Sequence, residues 1–151
     1  MLFQRVKRSD PEKIFIVVKN SYSTADLSNG QAVIWDFGTD VDGVGVTMPT
    51  ARATNAGVAI AGVAAQAIVA GDYGLVQVYG YHSAVRVRNM TGGAPAIAAG
   101  SPLCLNAAGS VFCLENFDTG STNIQVAPCG FAFEAQASWT TKAVAAFLKC
   151  L

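Results

Sequence analysis

His82 is the only histidine in the chain, so any histidine-dependent chemistry must pass through it. It stands between Tyr81 and Ser83, and serines and aspartates are plentiful. No G-x-S-x-G elbow surrounds any serine, however, and a nucleophile needs such a turn, or another device, to present its oxygen to a base. A histidine beside a strand, without that setting, reads as structural or solvent-exposed. Asp36-Phe37-Gly38 matches a kinase metal-binding tripeptide by letter. No catalytic-loop HRD and no lysine in a matching strand accompany it. Asp40-Val41-Asp42-Gly43 opens like a calcium loop, but the fifth position is Val44 and the twelfth is Ala51. An EF-hand needs oxygen ligands at both. What remains at Asp36, Asp40 and Asp42 is an acidic turn, with a weak surface cation site as the alternative.

The other reactive side chains are dispersed. Cys104, Cys113, Cys129 and Cys150 lack the paired spacing that presents zinc ligands tetrahedrally. If Asn106–Ser110 is a hairpin turn centred between Ala108 and Gly109, Cys104 and Cys113 face each other across it. A disulfide is then geometrically conceivable; buried free thiols are the reading a reducing cytosol favours. Gly43-Val44-Gly45 is only G-x-G, and no phosphate loop is present. Glu12, Glu115 and Glu134 are the only glutamates, and none lies in the apolar shielding that a glycosidase acid needs. The expectation is a chain that is not an enzyme and has no cofactor and no metal.

The elements that would position such residues are short apolar runs punctuated by glycine. Glu12–Lys19 is apolar between charged ends, as expected of a strand buried on both faces or crossing an interface. Gln31–Asp36, Val44–Met48, Val58–Val63, Gln66–Val69, Leu75–Tyr79 and Ser83–Arg88 follow. Val76 and Val78 alternate with Gln77 and Tyr79, and Val85 and Val87 with Arg86 and Arg88, a period of two. Pro102–Leu105, Val111–Leu114, Asn123–Pro128, Gly130–Phe133 and Lys142–Cys150 complete the set. The last places Val144, Ala146, Leu148 and Cys150 on one face. Gly57, Gly71, Gly74, Gly80, Gly100, Gly109 and Gly130 read as strand ends. Ala53–Ala70 and Ala132–Lys149 are rich in alanine, so helix is the competing reading there. No exact repeat is visible. Many short strands with frequent turns predict an all-β fold: a single-domain β-barrel or sandwich, jelly-roll-like, over 13–151, preceded by an N-terminal arm over 1–12.

Composition bounds the function. The 151 residues suffice for one core. Hydrophobic residues make up 52% and charged ones only 13%, which excludes disorder and leaves apolar area for a partner. Ten basic residues balance ten acidic ones, but unevenly. Arg5, Lys7, Arg8, Lys13 and Lys19 make the start basic, whereas the charges from Asn20 to Ala51 are all acidic. No aromatic-interleaved basic stripe follows, so no nucleic-acid partner is expected. The start is charged, the run Ile14–Val18 is too short for a signal peptide, and the uncharged stretches Ala53–Gly71 and Asn89–Leu114 are broken by glycine or proline. No membrane association is expected, and synthesis in a cytoplasm is.

Glycine and valine placement carries a resemblance. Ala56-Gly57-Val58-Ala59 is followed by Ala67-Ile68-Val69-Ala70-Gly71-Asp72-Tyr73-Gly74-Leu75-Val76-Gln77-Val78-Tyr79-Gly80 and then Ala84-Val85-Arg86-Val87. With Val18-Lys19-Asn20, Leu27–Asp36, Ala99–Leu103 and Gly130–Leu148, this resembles the capsid decoration (cement) proteins of tailed phages over most of Ile14–Leu151. The resemblance implies a β-barrel or sandwich subunit outside an icosahedral shell. Its partners would be the major capsid protein and its own copies, as a trimer or dimer, and the shell would be stabilised by bridging. The four cysteines and the basic leader depart from that pattern. Phe3, Arg5, Lys7 and Arg8 are the residues expected to dock on the capsid. The alternative is a tail or fibre component, or a carbohydrate-binding β-module using Trp35, Tyr79, Tyr81 or Trp139.

Overall fold

A computed structural model describes residues 12–40, 43–49, 60–89, 96–105, 113–116, 128–137 and 140–150. Every regular element among them is a strand: β1 (Lys13–Asn20), β2 (Ala32–Trp35), β3 (Gly45–Thr47), β4 (Ile60–Ala64), β5 (Tyr73–Val87), β6 (Pro102–Leu105), β7 (Leu114–Asn116), β8 (Gly130–Ala132) and β9 (Lys142–Lys149). The all-β expectation holds, and the alanine-rich segments contribute strands where they are described. The β-branched and aromatic residues that dominate β1 and β5 fit a pleated, half-buried surface.

The strands form one sheet in the order β1-β3-β2-β4-β5-β7-β6-β8-β9, with β1 also paired to β5 and β5 to β9. Those extra pairings close the sheet twice. β1, β3, β2, β4 and the first half of β5 make one five-stranded barrel; the second half of β5, β7, β6, β8 and β9 make another. Closure removes most free strand edges. Each barrel has a core. The first packs Val18, Leu27, Val33, Val46, Ala61, Ala64, Ile68 and Val76. The second packs Val85, Ile97, Leu103, Leu114, Ala132, Val144, Ala146 and Leu148, joined by Ala32, Ile34 and Val63 from the outer side of the first barrel.

The two barrels repeat one plan residue by residue. Ala32 and Val33 pair with Val63 and Gly62, as Pro102 and Leu103 pair with Phe131 and Gly130. Val63 and Ala64 pair with Gln77 and Val76, as Phe131 and Ala132 pair with Phe147 and Ala146. The parallel pairs Asn20↔Val46 and Val87↔Leu114 correspond. The isolated bridges Leu27↔Ile68 and Ile97↔Gln136 correspond too. After each bridge comes the same tight turn: Gly30 donates to Ala64 O and Gly100 to Ala132 O, both at 2.8 Å. The chain therefore contains a structural duplication, although the aligned residues are mostly different.

The runs Leu75–Tyr79 and Ser83–Arg88, read separately in the sequence, are one fifteen-residue strand. Gly80, read as a strand end, lies within it at φ +98. A Cβ there would come within 2.0 Å of Glu12 O, so only glycine lets β1 start against the bend. A bulge between His82 and Val85 then shifts the phase. Before it the even residues Val76 and Val78 are buried; after it the odd residues Val85 and Val87 are. One extra residue exchanges the two faces of a strand, and here it turns one barrel's wall into the next. Gln66–Val69, read as a strand, supplies only the Ile68 bridge. Gly74, also read as an end, lies within β5, where Ile68 occupies the space a Cβ would need.

Candidate binding face

The acid–base candidates are committed to structure. His82 is buried; its Nδ1 accepts from Ala84 N–H at 3.1 Å, and its ring bonds the Ala64 carbonyl. Burial first, and the Lys13 charge next, hold its pKa below the ordinary histidine value, against the rise from the Ala64 bond. Asp36 accepts from Thr39 Oγ1, Asp40 N–H donates to Asp36 O at 2.9 Å, and Asp36 N–H donates to Gly45 O at 2.9 Å, which ties the acidic turn to β3. Asp42 lies outside the described residues. Among the described residues, no three His, Cys, Asp or Glu side chains are grouped closely enough to hold a metal ion.

The four cysteines are free thiols. Cys104 faces Glu115, not Cys113, because the register of β6 and β7 pairs Leu105 with Leu114. A turn centred between Ala108 and Gly109 would set the two cysteines opposite each other. The register is instead fixed by Leu114, which must also pair with Val87. Cys113 Sγ lies 3.5 Å from Thr141 Oγ1, and burial pushes its thiol up. Cys129 Sγ donates to Leu103 O at 3.4 Å, and Cys150 Sγ to Cys129 O at 3.6 Å.

The concave features are small. One, of about 380 Å³, is lined by Lys19, Asn20, Ser21, Ser23, Ala70 and Gly71. Its most buried polar side chain, Asn20, is used internally: Nδ2 donates to Ile68 O at 3.0 Å and Ala25 O at 3.2 Å. A second, of about 150 Å³, lies where the barrels meet and includes Phe15, Gln77 and His82. Lys13 and Ser83 line the second as well, beside a His82 whose Nδ1 is held by Ala84 N–H.

The outer face is the conspicuous surface. Along β5, β9 and β8, Tyr79 meets Phe147 edge-on at 5.1 Å, and Phe147 stacks on Phe131 at 5.3 Å and 12°. Phe131 meets Phe133 at 5.4 Å, and Phe133 meets Tyr81 at 5.9 Å. Lys13 Nζ stands 5.9 Å from the Tyr81 ring centre. Contacts of this kind are each worth about 0.5–1.5 kcal/mol beyond the area they bury. Phe131 and Phe133 are nevertheless 39% and 44% exposed. The band continues on β1 and the start of β5, where Phe15 is 42%, Val17 62% and Leu75 38% exposed, with Val17 directly opposite Leu75. Strand β1 is thus apolar on a face that is open, not buried on both faces.

Of the aromatic residues named for carbohydrate binding, Tyr79 and Tyr81 belong to this band. Trp35 packs against the first core, and Trp139 lies outside the described residues. Phe3, Arg5, Lys7 and Arg8 lie outside them as well; the first described strand begins at Lys13.

No protein-family model matches this chain, and no curated protein matches it. Among solved structures, it is similar to the head fiber gp8.5 N base of bacteriophage phi29. That similarity covers 92% of this chain and 96% of that one, at 14% sequence identity and a TM-score of 0.49.

Proposed function

We propose that this protein is a non-enzymatic structural component of a tailed-phage virion, bound to the outside of the capsid and bridging major capsid subunits. The observation that carries the reading is the exposed apolar band on a closed β scaffold. Monomeric soluble proteins rarely expose contiguous apolar patches larger than roughly a few hundred Å², and a chain with 13% charged residues has few groups with which to interrupt one. The resemblance to decoration proteins in glycine and valine placement supplies the shell as the assembly. Many modest bridges raise the cost of opening a shell through multivalency. The reading requires no reacting group.

The basic leader, with Phe3, Arg5, Lys7 and Arg8, is the proposed capsid-docking arm, and homo-oligomers are the proposed bound form. Shells purified without the protein test this. Added protein binds to a fixed saturating ratio, and a variant lacking Met1–Ser9 does not bind although its circular dichroism is unchanged. Equal occupancy by the truncated protein overturns the arm assignment; no binding by the full chain overturns the capsid role.

A further inference from the structure

Two of the four thiols are placed to react in sequence. Cys129 stands just before β8 and Cys150 just after β9, where the two strands run antiparallel with Gly130 opposite Leu148. Lys149 N–H donates to Cys129 O at 2.7 Å, and Cys150 Sγ lies 3.6 Å from the same oxygen. The Cys129 thiol lies between Leu103 O, at 3.4 Å, and the sulfur of Cys150, with which it also hydrogen-bonds. Both backbones are anchored on their far sides. Cys129 N–H donates to Leu103 O on β6, and Cys150 N–H donates to Val78 O on β5, each at 2.8 Å. The two sulfurs are therefore neighbours because the strands that carry them are fixed.

Their surroundings give them different parts. Cys129 is buried, as is Cys104, the third thiol of this neighbourhood, whereas Cys150 is only half-buried. A reagent in solution meets Cys150 first. The Cys150 sulfur accepts the hydrogen bond from the Cys129 thiol, which favours its thiolate, and the thiolate is the form that attacks a disulfide. Cys129 keeps its proton through that same hydrogen bond and through burial. It is a poor first nucleophile, but a group capping Cys150 would lie on the sulfur beside it. A reaction between neighbours held in place gains the advantage of a high effective concentration.

We propose that Cys150 and Cys129 form a disulfide by exchange with a small-molecule disulfide, clasping the end of β9 to the start of β8. The Cys150 thiolate attacks one sulfur of the reagent. A mixed disulfide forms, and one small thiolate leaves and takes up the proton that Cys150 lost. The Cys129 thiol then loses its proton and attacks the Cys150 sulfur, and the second small thiolate leaves with that proton. Two protein thiols and one small disulfide become one protein disulfide and two small thiols, so the reagent is the only oxidant. The clasp closes the segment that contains β8 and β9, which restricts the unfolded chain and raises resistance to denaturant. The proposal concerns the purified protein alone and stands or falls separately from capsid binding.

The test treats the reduced full chain with excess glutathione disulfide under native conditions. The intact mass falls by two hydrogen atoms with no glutathione retained, and peptic peptides show Cys129 linked to Cys150. Urea unfolds the oxidised protein at a higher midpoint than the reduced one, and a phosphine reductant restores the lower midpoint. Two variants separate the steps. Cys129→Ser retains one glutathione, on Cys150, because nothing displaces it; Cys150→Ser neither loses hydrogen nor gains glutathione. The wild-type mass and peptide map need no substitution and decide the matter even where a variant fails to fold. A wild-type chain that does not react or that keeps its glutathione, a link that includes Cys104 or Cys113 or joins two chains, or an unchanged midpoint after oxidation each overturns the proposal.

Discussion

Gly80→Ala tests the bend by which one strand serves two barrels. The new methyl group meets two separate penalties. At φ +98 the backbone is in a region that side chains disfavour, a cost of about 1–2 kcal/mol. Its Cβ also falls 2.0 Å from Glu12 O and 3.2 Å from Lys13 Cα. Those are backbone atoms that cannot swing aside, so β1 must shift, at about 1–3 kcal/mol by analogy with overpacked cores. The sum, about 2–5 kcal/mol, is a large share of the roughly 5–15 kcal/mol that holds a typical domain. Gly71→Ala separates the penalties. Gly71 has φ +86 and, among the described residues, nothing within 4 Å of its Cβ position, so it pays only the backbone part. Urea unfolding followed by tryptophan fluorescence reads both variants against wild type. Equal losses for the two, or an unchanged midpoint for Gly80→Ala, would refute the tight passage of β1 across β5.

Other consequences follow from side chains named above. His82 has a folded pKa below its unfolded value of 6.5. Its contribution to stability is therefore fully present above that value and is lost as pH falls from it toward the folded pKa. The wild-type unfolding midpoint should fall over that window more than that of His82→Gln, and parallel curves would contradict the assignment. Gln77 Nε2 donates to Tyr79 O and Tyr81 O, both at 3.1 Å, beside the bend. Gln77→Leu leaves both carbonyls without that donor and should cost about 1–3 kcal/mol in urea unfolding; a neutral result argues that the carbonyls need no partner. Among the thiols, Cys150 is half-buried, and a hydrogen bond to its sulfur from the Cys129 thiol holds its pKa below the ordinary range, whereas Cys113 and Cys129 are buried and pushed up. Native protein should react with a thiol reagent first at Cys150, as peptide mapping would show; first labelling at Cys113 or Cys129 would contradict the burial.

The fold class was legible because its signal is local. Alternation in Leu75–Tyr79 and Ser83–Arg88, and the one-sided set Val144, Ala146 and Leu148, specify strands regardless of context. The single strand spanning Gly80 was not legible, since glycine inside a strand and glycine at its end look alike without the neighbour that crowds it. The shift of the buried valines from even to odd positions was the available sign of a bulge. The duplication was hidden because Leu27-Ser28-Asn29-Gly30 and Ile97-Ala98-Ala99-Gly100 share only the glycine; what repeats is the hydrogen bonding. The register of the cysteines depended on a long-range pairing, Val87 with Leu114, that no turn rule supplies. The exposed apolar face was half visible: Glu12–Lys19 announced an apolar strand between charges. Phe131, Phe133 and Phe147, however, come together with Tyr79 and Tyr81 only through strand order.

The functional account rests on an apolar outer face that matters when shells are under load. Heating purified shells with and without bound protein, with released DNA detected by an intercalating dye, tests it most directly. The account predicts that saturated shells open at a clearly higher temperature than bare ones. Identical opening temperatures at full occupancy would contradict it.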